Sequence, residues 1–252
     1  MIHTGLVSIS FRKYTAEEIA AAMRKSGLTE VEWGSDVHVP VGDTERARQV
    51  RRLSEENGLH VAAYGSYYYL CGGEDFHPYL ENARILGTKV IRVWGGKKGS
   101  AELTKEDWDS LVADARSIAK MAAADGITIT LECHNNSVTD TADSAKRFLD
   151  AVQEPNLKMY WQPNQKYSHE ANVEAAKQLS ADTVNIHVFA WELYGDDLLR
   201  YPLASHADRW QEYFRIFRDT GTDHAAMLEF MPDDRIESLA EEAATLNQLV
   251  NA

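Results

Sequence analysis

The chain has 252 residues, with 26 Lys and Arg against 39 Asp and Glu and a formal net charge of −13. Apolar residues make up 44 % and charged residues 26 %, the mixture of a globular protein rather than a disordered or low-complexity one. A chain of this length buries roughly 70–75 % of the surface its unfolded form exposes, so it needs neither disulfides nor a structural metal for stability.

The acidic surplus repels phosphate backbones and argues against a nucleic-acid partner. No stretch approaches the roughly 18–20 apolar residues of a membrane span. The N-terminus lacks the basic run and long apolar stretch of a secretory signal. Two cysteines without a spacing pattern, Cys71 and Cys133, suit a reducing compartment, so the expected location is the cytoplasm.

In chain order, eight short apolar runs read as buried parallel strands: Gly5–Ile9, Glu30–Trp33, His60–Tyr64, Lys89–Trp94, Thr128–Glu132, Leu157–Trp161, Thr183–Val188 and Ala226–Phe230. Amphipathic stretches lie between them. Thr15-Ala16-Glu17-Glu18 is a capping box that opens the first helix. Helices are then expected over Thr44–Asn57, Pro78–Leu86, from Thr104 to Met121, and over Thr141–Val152, His169–Leu179, Ala207–Asp219 and Arg235–Val250. Several stop at a glycine, as Gly58, Gly87 and Gly221 illustrate.

Eight alternations in about 250 residues are the size of one (β/α)8 TIM barrel, a single domain over residues 1–252. A doubly wound open sheet is the competing architecture. It usually carries a glycine-rich fingerprint after its first strand, whereas Ser8-Ile9-Ser10-Phe11-Arg12 stands here.

Barrel active sites lie at the carboxyl ends of the strands. There Glu132 and Glu229 interrupt otherwise apolar runs, and burying an unpaired carboxylate costs several kcal/mol unless a cation, metal or proton compensates it. His187 closes the seventh strand between them in sequence. Two Glu and one His make an oxygen and nitrogen donor set suited to Mn, Mg, Co or Zn, without the thiolates of a structural zinc site.

With these residues in place, the sequence resembles the sugar isomerase/epimerase superfamily of xylose-isomerase-like barrels. That superfamily includes ketose 3-epimerases, hydroxypyruvate isomerases and inosose dehydratases. The resemblance spans the whole chain and rests on strand order with Leu131-Glu132-Cys133-His134-Asn135 and Leu228-Glu229-Phe230. It implies that Glu132 and Glu229 are both metal ligands and the catalytic acid/base pair, and that His187 is a third ligand. The fourth ligand is usually an Asp ending strand six, where Gln162 stands here. A neutral amide oxygen still coordinates a hard cation but brings one negative charge fewer, so weaker binding of the divalent metal is expected.

The implied reaction is metal-assisted proton transfer through an enediolate in a small-molecule carbohydrate, a ketose or a related polyol ketone. Proton return on the opposite face gives epimerisation; return to the adjacent carbon gives isomerisation. Candidate substrate contacts are His38, Tyr64, Trp94, His134, Asn164 and Trp191, within a rim that also carries Trp33 and Trp161. Two other activities fit the same barrel: an inosose-type dehydratase, and a catalytically weakened sugar-binding protein. Relatives often form dimers or tetramers, so a homo-oligomer is compatible with the resemblance.

Overall fold

The computed structural model describes residues 1–232 and 234–252. Eight parallel strands close on themselves: β1 (Ile2–Val7), β2 (Glu30–Gly34), β3 (His60–Tyr69), β4 (Val90–Trp94), β5 (Thr128–Glu132), β6 (Leu157–Trp161), β7 (Thr183–Val188) and β10 (His224–Leu228). The order around the barrel is β1-β10-β7-β6-β5-β4-β3-β2. Among the described residues, eight α-helices cover it: α1 (Ala16–Ser26), α2 (Thr44–Glu56), α3 (His77–Leu86), α4 (Lys105–Ala123), α5 (Ala142–Val152), α6 (His169–Leu179), α7 (Ala207–Asp219) and α8 (Leu239–Asn251). The chain is therefore one (β/α)8 TIM barrel.

Local signals explain the element starts. Thr15 accepts from Glu18 N–H while Glu18 reaches back to Thr15, and Thr104 and Asp107 repeat the box at α4. Gly27 and Gly87 take left-handed conformations that end α1 and α3.

Several boundaries differ from the sequence expectation: β3 runs on past Tyr64 to Tyr69, and α8 begins at Leu239 rather than at Arg235. β1 starts at Ile2 and stops at Val7, because Ser8–Phe11 turn into a buried 3-10 segment. β10 covers His224–Leu228, so Glu229 and Phe230 stand just beyond it rather than within it. A β-hairpin, β8 (Trp191–Tyr194) with β9 (Asp197–Arg200), occupies the connection after β7 and was not expected. Among the described residues its two strands pair only with each other, as an antiparallel sheet outside the barrel.

Alternation along the strands divides the side chains into two layers. Trp33, Tyr64 and Trp161 point outward into the large core between strands and helices. Val7, Ala63, Tyr160 and Met227 fill the barrel interior. Above this inner layer, at the carboxyl ends of the strands, the interior turns polar.

Candidate active site

Five ionisable side chains meet at the centre of the barrel mouth. Glu32 ends the inward face of β2, Arg92 lies on β4, Glu132 ends β5, His187 lies on β7 and Glu229 follows β10. All are nearly inaccessible to solvent.

Arg92 is the cation between two carboxylates. Its Nε and Nη2 both stand 2.8 Å from Glu32 Oε1, and its Nη1 stands 2.5 Å from Glu132 Oε2. Gly65 on β3 makes room for this pair: a Cβ there would be driven into Glu32 Oε1 and would come within 3.0 Å of Arg92 Nη2.

His187 Nδ1 is surrounded by oxygens. It lies 3.1 Å from Gln162 Oε1, 3.5 Å from Glu229 Oε2 and 3.6 Å from Glu132 Oε1. Gln162 Nε2 donates to the Cys133 carbonyl at 3.0 Å, which turns the amide oxygen toward the imidazole. Donor atoms from Glu132, His187 and Glu229 lie within 4.8 Å of one another.

Around an ion with bonds of about 2.1 Å, neighbouring donors stand about 3.0–3.5 Å apart. The three spacings from His187 Nδ1, 3.1, 3.5 and 3.6 Å, are close to that frame, and the chemistry is two carboxylates, one imidazole and one amide oxygen. The residues therefore fit a divalent cation, and Gln162 offers its oxygen where the resemblance placed it.

Electrostatics separates the two carboxylates of the set. Burial raises the pKa of Glu132, but the Arg92 charge and His187 outweigh it and hold the group well below the ordinary carboxylate range. Among the described residues Glu229 forms no ion pair with a guanidinium; burial, with repulsion from Glu132 and Glu32, raises its pKa despite the charges of His187 and Arg92. Burial opposes protonation of His187, yet Glu229, Glu132 and Glu32 together raise it to about 10.

Above the cluster opens a cavity of about 330 Å³ whose walls include Arg12, Tyr67, Trp94, His134, Trp191 and Phe230. Three of the expected substrate contacts, Trp94, His134 and Trp191, thus face it. His134 Nδ1 lies 2.6 Å from the Asn135 carbonyl, and its ring meets Trp94 edge-on at 4.3 Å. Trp191 stacks on Phe189 at 3.9 Å, and Arg200 lies over its face. Beyond Trp191 lies a second space of about 250 Å³, bounded also by His169, His206 and Arg209.

Asn164 stands beside the cavity rather than in it. Its amide donates to Asn135 Oδ1, and its backbone N–H donates to Asn172.

Two expected contacts are corrected by the structure. His38 is buried under the turn after β1, with Nδ1 3.0 Å from Ser8 Oγ and Nε2 3.1 Å from the Tyr14 carbonyl. Tyr64 points out of the barrel, where its hydroxyl donates to the Val39 carbonyl and accepts from Asn82. Both are packing residues because they fall on the outward side of the strand alternation or in the loop behind it.

Sequence reasoning passed over Arg92 and gave Glu32 no role. The signal was a lone guanidinium inside Val-Ile-Arg-Val-Trp, as anomalous in an apolar strand as Glu132.

Comparison with known proteins agrees with this architecture. A curated relative, the 3-dehydroshikimate dehydratase of Bacillus anthracis, is 24 % identical over 96 % of this chain and 95 % of its own. The crystal structure of a probable 3-DHS dehydratase from Bacillus anthracis superposes with a TM-score of 0.81 at 22 % identity, covering 98 % of this chain and 99 % of that one. D-psicose 3-epimerase gives 0.74 at 16 % identity, covering 99 % and 100 %. The IOLI protein with a binding zinc atom gives 0.77 at 16 % identity, covering 99 % and 98 %. The model of the xylose isomerase-like TIM barrel matches residues 20–249. On that match, together with the closed eight-stranded barrel, this chain belongs to the xylose isomerase-like TIM barrel family.

Proposed function

We propose that this protein is a metal-assisted enzyme that moves a proton at the carbon next to a carbonyl in a small polyhydroxylated ketone or ketose. One observation carries the reading: Glu132 and Glu229 converge with His187 and Gln162 at the floor of an aromatic-walled cavity of about 330 Å³. Glu132, His187, Glu229 and Gln162 would hold the ion. Bound there, a divalent cation supplies Lewis-acid stabilisation for the charge that develops as the proton leaves.

The remaining work falls to the protein. Arg92 keeps Glu132 ionised, and Glu132 takes the substrate proton. Glu229, which lines the same cavity just beyond β10, returns a solvent-derived proton from its own side. Trp94 and Trp191 line the cavity with apolar surface for the C–H side of a sugar or ring, and His134 offers a polar edge to its hydroxyls.

Dehydration is a second outcome of the same step, in which a β-hydroxyl leaves instead of a proton returning. It is supported by the 24 % identity to 3-dehydroshikimate dehydratase along nearly the full chain.

The test is incorporation of solvent deuterium. The Mn²⁺-treated protein is offered ketoses, inososes and 3-dehydroshikimate, and each is followed by mass spectrometry for deuterium uptake and for loss of water. Exchange without water loss identifies an isomerase or epimerase, and water loss identifies a dehydratase. Glu132→Gln and Glu229→Gln should each lower the rate by at least about 100-fold, the usual scale of a general acid or base. No exchange across the panel, or full activity in both variants, would overturn the reading.

A further inference from the structure

Among the described residues, two of the buried polar atoms that lack a hydrogen-bond partner face each other. They are Glu32 Oε2 and His187 Nε2, 3.6 Å apart, on side chains fully shielded from solvent. Neither group is there by default. Glu32 satisfies Arg92 with its other oxygen, Oε1, which receives both Nε and Nη2. Oε2 is left over from that ion pair and turned to the imidazole. His187 is held by the Tyr160 ring, 4.4 Å away, with its opposite nitrogen among the oxygens of Gln162, Glu229 and Glu132.

An imidazole that presents the Nδ1 lone pair to a cation carries its proton on Nε2. That proton needs an acceptor in a place water does not reach, and Glu32 Oε2 is the carboxylate beside it. Shortening 3.6 Å to an ordinary hydrogen bond of about 2.9 Å takes a displacement well under 1 Å.

We propose that Glu32 is a positioning residue, accepting the Nε2–H of His187 and fixing the tautomer that turns Nδ1 toward the cation donors. Arg92 extends the effect, because the guanidinium that holds Glu32 also holds Glu132. Two donors, His187 and Glu132, are thus oriented by one buried Glu32–Arg92–Glu132 chain. The inference rests on reading the His187 set as a divalent-cation site.

The experiment needs no substrate. Mn²⁺ affinity is measured by calorimetry for the unaltered protein, Glu32→Gln and Glu32→Asp, and the histidine ring nitrogens of each Zn²⁺-loaded protein are recorded by ¹H–¹⁵N spectroscopy. In the unaltered protein His187 should carry its proton on Nε2. Glu32→Gln should weaken Mn²⁺ by about 10- to 100-fold, the range found when the carboxylate behind a ligating histidine is removed, and should shift the His187 nitrogens. Glu32→Asp keeps the charge beside Arg92 but withdraws it from the imidazole, and should weaken Mn²⁺ as well.

Unchanged affinity and unchanged His187 signals in Glu32→Gln would overturn the role of Glu32 alone. So would a His187 protonated on Nδ1 in the unaltered protein, a result that stands even if the variants fail to fold. Absence of Mn²⁺ and Zn²⁺ binding by the unaltered protein would overturn the cation site itself and this inference with it.

Discussion

Replacing Arg92 with methionine removes the guanidinium that lies between two buried carboxylates. Arg92 is 1 % exposed, and Glu32 and Glu132 are 0 % and 4 % exposed, so water replaces little of what is lost. Removing one partner of a buried ion pair costs about 3–5 kcal/mol, and here one cation serves two anions. At about 2–4 °C per kcal/mol for a domain of this size, the melting temperature should drop by about 6–20 °C.

The pH dependence follows from the direction of the shifts. Glu32 is held down to about 2, chiefly by Arg92 against the opposing effect of burial, so its stabilisation is complete above about pH 4.5 and fades as the pH falls toward 2. Without Arg92 burial dominates and raises both carboxylates. The deficit of Arg92→Met should then be largest at neutral pH and shrink as the pH falls through 4–5.

Urea unfolding followed by circular dichroism at pH 7 and pH 4.5, without added metal, measures both effects. Adding Glu32→Gln to Arg92→Met removes one stranded charge and should recover about 2 kcal/mol. A deficit below about 1 kcal/mol at pH 7, or one that does not change with pH, would refute the argument.

Three further outcomes are expected. Gly65→Ala forces a methyl group against Glu32 and Arg92, and should cost about 1–3 kcal/mol in thermal unfolding and weaken Mn²⁺ binding together. Gln162→Asp adds a negative charge beside His187 and should tighten Mn²⁺ by about tenfold in calorimetry; unchanged affinity would show that this side chain is no ligand. Cation uptake should also release protons, because His187 is raised to about 10 and Glu229 is raised as well. Binding should tighten as the pH rises, with about two protons released on the acid side of the Glu229 transition and about one above it, read from calorimetry in buffers of different ionisation enthalpy.

The barrel was legible because each buried strand is a short apolar run and each helix begins at a strong cap such as Thr15 or Thr104. The ends of β1 and β10 were misjudged because apolar residues continue past the last barrel hydrogen bonds, through Ile9 and Phe230. Glu132, Glu229 and His187 were visible as polar residues at strand ends, and the structure brings them together. Arg92 and Glu32 belong to strands that are not neighbours in the barrel, and nothing local in either strand announces the pairing across the interior. Tyr64 shows the converse error: β3 continues to Tyr69, so Tyr64 lies within the strand rather than at its end, and its side chain falls on the outward parity while the adjacent Gly65 faces the interior. The hairpin was missed because four-residue strands that pair only with each other leave little periodicity to detect.

Trp191 belongs to that hairpin, and its indole borders both the cavity above Glu229 and the outer space beside His206. The two compartments therefore share one indole as their partition, carried by the hairpin rather than by the barrel wall. Phe189 stacked on it at 3.9 Å, Arg200 over its face and its own Nε1–H donated to the Phe230 carbonyl at 3.3 Å hold that partition in place, so the division of space between the two rooms depends on these three contacts.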